Sequence, residues 1–374
     1  MTSPALVVRS GSIIALRLFD IAYAIDLPQV ERLWSAHSQV TTSRGQLAYT
    51  PSKAVAFDVP PVSLTLDSTL LDLGTGTPLT ALVSARIYDF GVVSLSVRVP
   101  VEHTHWSEFA RLVTATNQTV GPGAPDAFWT DLLSRITAPL APAFVRQNRS
   151  GLQEDYLFAV VKQWDEPVSA DQLMERVDLA ALLTDESRPL SEGARRDLLR
   201  QRFSYYTDDL VVMTWDRAFI VEPRGDSDVI DVLEVANAQL LEMRYYDELL
   251  DDELPRMNEW VRDVRTGSLL RSPRRYASLA RRLYGLVAEV TELTERVDNA
   301  LQVTEDVYLA RVYASALDLM RVPKLSAAVD RKLAIIRDTY TALYDEASAR
   351  RSELLEMTIV LLIVLEIVLA LFHV

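Results

Sequence analysis

The chain has 374 residues, 49% of them apolar, a formal net charge of −14 and no cysteine. That length and composition suit two domains, each with its own core, and exclude a disordered chain; the absence of thiols excludes disulfides, thiolate metal sites and cysteine nucleophiles. The acidic balance argues against DNA held by phosphate neutralisation, and 34 arginines against 4 lysines point to a GC-rich bacterial genome.

The first twenty residues, MTSPALVVRSGSIIALRLFD, lack the basic-then-apolar order of a secretory signal. Ile13 to Phe19 reads as a strand, so this end is expected in the cytoplasm. Pro28 to Ala36 reads as a helix. Val83 to Val99 alternates apolar residues with small or charged ones after Gly91 and is read as strand. Trp106 to Ala115, Ala127 to Ile136 and Asp171 to Leu183 are helical, the last with Ser169 as N-cap. Tyr156 to Gln163, Leu210 to Trp215 and Ala218 to Val221 are further strands. Irregular interleaving of strands and helices predicts an α+β domain over residues 1–225.

From Ser227 the pattern turns helical, with Val229, Val232, Leu233, Ala236, Leu240 and Met243 at helical spacing and breaks expected at Pro255 and at Gly267 to Pro273. Two heptad runs follow. One holds Leu283, Leu286, Val290, Leu293, Val297 and Ala300; the other holds Val329, Leu333, Ile336, Tyr340, Leu343 and Ala347. With a break at Val322-Pro323, residues 226–352 are expected to form a helical hairpin or coiled coil. Residues 261–282 carry seven arginines against Asp263 alone, which makes Arg271, Arg274, Arg275, Arg281 and Arg282 a candidate basic contact for lipid or ribosomal RNA.

The chain ends LLEMTIVLLIVLEIVLALFHV. Residues 353–374 are expected to form a transmembrane tail anchor: Arg350 and Arg351 flank it on one side only, which would hold the folded body at the inner face of a bacterial cytoplasmic membrane as a single-pass protein in contact with membrane lipid. Glu366 interrupts the apolar run, and 366, 370 and 373 fall on one helical face. Glu366, Ala370 and His373 are therefore the candidate self-association stripe. A turn centred near Pro323 would instead set Glu366 beside Ala280, Arg281 and Arg282, so an arginine partner stays open beside pairing between tails.

Several pieces, in order, carry a resemblance: ARIYDFGVVSLSV at Ala85 to Val97, VLEVANAQLLEMRYYDELL at Val232 to Leu250, LVAEVTELTERVD at Leu286 to Asp298, EDVYLARVY at Glu305 to Tyr313, and the terminal apolar helix. The chain resembles the family of unknown biochemical function that includes the mitochondrial and fungal "required for meiotic nuclear division" proteins. Glu366 falls on the glutamate of that family's tail, although Met357 stands where the family often has tryptophan. The resemblance implies a membrane-anchored protein without established catalysis, whose mitochondrial relatives support translation at the inner membrane.

Two motifs suggest chemistry. LLDLGTGTPL, Leu70 to Leu79, is similar to the glycine loop that cradles S-adenosylmethionine, with Gly74 and Gly76 in the loop and Asp89, inside a strand segment, at the distance of a ribose-binding acid. Pro78 at the start of the would-be helix works against it. His103 and His105 share one face of a strand as metal ligands can, but two imidazoles alone do not make a site. The expectation is therefore a non-enzymatic membrane-anchored scaffold or tether, homo-oligomeric, without cofactor. A nucleotide- or S-adenosylmethionine-dependent enzyme and a ribosome- or RNA-associated tether are the alternatives.

Overall fold

The structure is a computed structural model. It describes residues 6–37, 42–44, 55–56, 59–147, 151–184, 188–225, 228–266, 277–285, 287–288, 290–291, 302–303 and 306–372. The chain divides into two compact units, Met1–Tyr245 with Arg296–Pro323, and Tyr246–Glu295 with Lys324–Val374. The expected boundary at 225 falls inside the first.

The strands are β1 (Val7–Asp20), β2 (Ala22–Ile25), β3 (Thr42–Arg44), β4 (Val55–Ala56), β5 (Val62–Thr65), β6 (Thr69–Leu71), β7 (Leu79–Ile87), β8 (Val92–His105), β9 (Phe144–Gln147), β10 (Gln153–Trp164), β11 (Arg202–Phe203), β12 (Leu210–Met213), β13 (Arg217–Val221) and β14 (Gln302–Val303). The helices are α1 (Leu27–His37), α2 (Trp106–Val120), α3 (Ala127–Leu140), α4 (Ala170–Arg176), α5 (Leu179–Thr184), α6 (Glu192–Leu198), α7 (Asp228–Thr266), α8 (Val307–Leu319) and α9 (Val322–Phe372), with further helical residues at 277–285.

Among the described residues, ten strands form the sheet of the first unit, in the order β11-β12-β13-β10-β1-β8-β7-β5-β3, with β6 beside β7. Its middle is built by β1 and β8, fourteen residues each, whose antiparallel register pairs Ile13 with Val99 and Leu16 with Ser96. Because side chains alternate between faces, Ile13, Ala15, Val97 and Val99 enter one apolar core with residues of α1, α2 and α3. The opposite face carries Leu16, Leu18, Ser94, Ser96 and Arg98, and the first part of α7 bonds to it through side chains described below. β10 and β13 run parallel, unlike the other pairs of this sheet.

Local chemistry explains several boundaries. The stretch read as strand from Val83 to Val99 is a hairpin whose turn ends at Gly91, with φ 104° and a Cβ position 1.7 Å from the Ala22 carbonyl oxygen, so only glycine fits. Asp89 accordingly lies in this turn, not within a strand. Ser169 accepts from the Gln172 amide while the Gln172 side chain accepts from the Ser169 amide, a capping box that starts α4. The helix read as continuous to Leu183 breaks at Val177 into α4 and α5. By contrast α7 runs through Pro255. That proline is exposed, so the carbonyl one turn earlier, freed of its donor, can be hydrated.

In the second unit, Tyr246, Leu250 and Met257 are buried, as are Leu283 and Val290, and Val329, Ile336 and Leu343 recur every seven residues. The other expected core positions of the first heptad run, 286, 293, 297 and 300, lie outside the residues whose side chains are described. The two runs are not joined by a short turn: β14 and α8, both of the first unit, intervene in sequence. Arg321, with φ 60°, ends the connection into α9, where Pro323 sits in the first turn, the place a helix tolerates it.

The expected transmembrane anchor is corrected. Among the described residues no helix is long and apolar enough to cross a membrane. The apolar end belongs to a 51-residue helix whose described exposed apolar side chains run from Leu355 to Leu369. Glu356 and Glu366 lie within or beside that span. The transmembrane-helix and tail-anchor readings fall with it.

Candidate interaction surface

The last turns of α9 leave core packing behind. After Leu343 no described residue of the helix is buried. Leu355, Met357, Ile359, Val360, Leu361, Leu362, Ile363, Val364, Leu365, Ile367, Val368 and Leu369 are all exposed, between 41% and 70%. Successive residues turn by about 100°, so this is an apolar sleeve around the helix, not a stripe. Contiguous apolar surface of this kind marks a contact site on a folded protein. Glu366 sits exposed within it and makes no ion pair among the described residues.

The other residues of the expected stripe are less fully seen: the side chain of Ala370 and the whole of His373 lie outside the described residues. The geometry separates Glu366 from its alternative partners. Tyr284 meets Tyr340, with ring centroids 5.8 Å apart, whereas a turn at Pro323 would set it against position 362, roughly 33 Å further along the helix. Arg281 and Arg282 are exposed, and Arg281 Nε donates to the Ala277 carbonyl within its own helical turn at 3.3 Å. Arg271, Arg274 and Arg275 lie outside the described residues.

Gly74 and Gly76, with φ 68° and 81°, lie in the loop that joins antiparallel β6 to β7, where Leu71 pairs with Leu79. A strand follows this loop, so it lacks the helix N-terminus that a cofactor-cradling glycine loop uses. Asp72 Oδ1 accepts from the Gly74 amide at 3.0 Å and closes the turn. His103 and His105 are at the end of β8; His103 Nδ1 is 3.9 Å from Asp165. Among the described residues no group of three or more histidines and acids could hold a metal ion.

Sequence reading missed a buried ionic layer in the first unit. Arg86 of β7 places Nη1 2.6 Å from Asp231 and 2.9 Å from Glu234, both buried on α7, while the Tyr88 hydroxyl donates to Glu234 at 2.9 Å. Burial alone would lower the Arg86 pKa, but Glu234 and Asp231 raise it well above the ordinary range. Burial and Glu234 raise Tyr88; burial and Arg86 lower Arg98. A signal was available: Asp228, Asp231 and Glu234 step by three through Val229, Ile230, Val232, Leu233, Val235 and Ala236, a helix apolar on its remaining sides. On the same face Arg244 pairs with Glu154 of β10; on the opposite face Arg17 of β1, fully buried, pairs with Asp126 and reaches the Gly121 carbonyl at 3.2 Å. The Arg86, Tyr88 and Arg244 contacts tie the sheet to α7.

Comparison with known proteins gives a family profile described as "Uncharacterized protein MJ0711, N-terminal domain", which matches residues 10–228, from β1 to the first residue of α7. The uncharacterized protein MJ0711 of Methanocaldococcus jannaschii is 25% identical over 229 residues, covering 60% of this chain and 68% of the relative. No solved structure matches.

Proposed function

We propose, for a chain that belongs to the MJ0711 N-terminal domain family, a non-enzymatic scaffold that self-associates through the apolar end of α9. The observation that supports this reading is the sleeve of twelve exposed large apolar side chains from Leu355 to Leu369. Burying a Leu, Ile or Val side chain is worth about 1.5–3 kcal/mol, so even partial coverage of this surface drives association. A second copy offers the same surface, and a closed symmetric contact covers both at once. The finer relationship, to the "required for meiotic nuclear division" proteins, is part of the proposal. It is supported by the order of the matching pieces, including the glutamate within an apolar helical end.

Sedimentation velocity of the full chain tests the scaffold. Micromolar wild-type protein sediments as an oligomer, and Leu361→Gln with Leu365→Gln shifts it to the monomer. A wild type that stays monomeric at these concentrations, or that enters vesicles as a monomer, ends the proposal.

A further inference from the structure

A second feature, in the first unit and independent of self-association, is a cavity of about 190 Å³ where the loop before β12, the turn after β13 and the starts of α7 and α8 converge. Three tyrosines line it. Tyr205 and Tyr206 meet edge to face with ring centroids 4.8 Å apart, and Tyr308 meets Tyr205 at 5.7 Å. Tyr205 is 66% exposed and Tyr206 45%, so these rings are not held there by core packing. The loop is braced from below: Asp209 Oδ1 accepts from the amides of Tyr205 and Tyr206 at 2.8 and 3.1 Å.

Charge gives the cavity its sign. Among the described lining residues, Asp209, Glu222, Asp228 and Asp306 stand against the guanidinium of Arg224, with Arg311 close enough to act on Tyr308. Burial raises the Tyr308 pKa, and Asp209, Glu222 and Asp306 raise it further against an opposing effect of Arg311; the lining carboxylates would repel a phosphate or carboxylate ligand. Aromatic faces ringed by carboxylates attract cations. The chain already seats one there: the Arg224 guanidinium carbon lies 4.2 Å from the Tyr206 ring centroid.

We propose that this cavity binds an organic cation of side-chain size, an alkylammonium or guanidinium group, on the faces of Tyr205, Tyr206 and Tyr308, and that Arg224 is its internal competitor. The volume admits one such group and not a nucleotide. The cation comes either from a free amine or from a basic side chain of another polypeptide; the recognising chemistry is the same.

Isothermal titration of the full chain with agmatine, with an end-blocked tetra-arginine peptide and with inorganic phosphate tests this. Agmatine saturates one site if the source is a free amine, and only the peptide does if the source is a polypeptide. Either result supports the pocket, provided Tyr205→Ala weakens it about fivefold or more with an unchanged melting temperature and Arg224→Gln, which vacates the Tyr206 face, tightens it. The proposal is overturned if neither cation binds wild type or Arg224→Gln, if Tyr205→Ala binds like wild type, or if phosphate binds instead.

Discussion

Arg86 serves two buried carboxylates and, through Glu234, a tyrosine hydroxyl. Removing a shared cation leaves acids that neither water nor another base reaches easily, which is why breaking a buried pair costs more than the pair contributes. Arg86→Met is expected to lower the urea-derived stability by roughly 3 kcal/mol, the low end for a buried pair because the guanidinium is partly exposed. A loss below about 1 kcal/mol would show that Asp231 and Glu234 are hydrated after all. These residues were individually visible in the sequence, and the three-residue spacing of the acids was too. What was not visible was their partner: Arg86 lies 148 positions from Glu234, and a local pattern cannot name a cation that only sheet register delivers. Gly74 and Gly76 show the converse. Their φ values suit the turn that a glycine loop implies, but the element that follows is a strand, and this removes the cofactor argument.

At the scale of elements, α7 and α9 dominate. Among the described residues of the second unit, heptad side chains pack together and the Lys332 ammonium lies 2.7 Å from Asp247 and 2.6 Å from Asp251, a pair one helical turn apart on α7. Burial alone would lower the Lys332 pKa, but hydrogen bonds to Asp247 and Asp251 more than offset it, and the net direction is upward from the ordinary 10.5. A raised pKa means that the stabilisation is fully present below about pH 10.5 and is lost as pH climbs through the higher folded-state value. Denaturation midpoints of wild type and Lys332→Met should therefore lie well apart at pH 8 and converge above pH 11; a constant gap would assign the effect to packing alone. The heptad spacing of Val329, Ile336 and Leu343 was legible because burial at every seventh residue needs only local periodicity. The continuation of α7 past Pro255 was not, since it depends on that proline facing solvent.

At the scale of the whole molecule, the apolar end of α9 sets the expected behaviour in solution. If copies associate through it, apparent stability depends on protein concentration, because whatever binds only the folded state stabilises it by mass action. The melting temperature is expected to rise with concentration in the wild type and to be flat for Leu361→Gln with Leu365→Gln. A flat wild-type profile would place the sleeve outside the folded-state equilibrium.

The sequence by itself determined the classes of element: long strands at the start, helices from Ser227 onward, heptads in the second half and an apolar end interrupted by Glu366. These follow from periodicity, capping residues and composition, which act within a few turns of chain. Only the tertiary structure decided the partners. It drew β1, β8 and β10 into one sheet, paired β10 with a parallel β13, set Tyr284 against Tyr340, turned the glycine loop into a hairpin, and gathered Tyr205, Tyr206 and Tyr308 around one cavity. Among the described residues it also left no helix long and apolar enough to cross a membrane. The reason is common to all of these: a local pattern says which face of an element is apolar, but the surface that face meets is set by register and topology over a hundred residues or more.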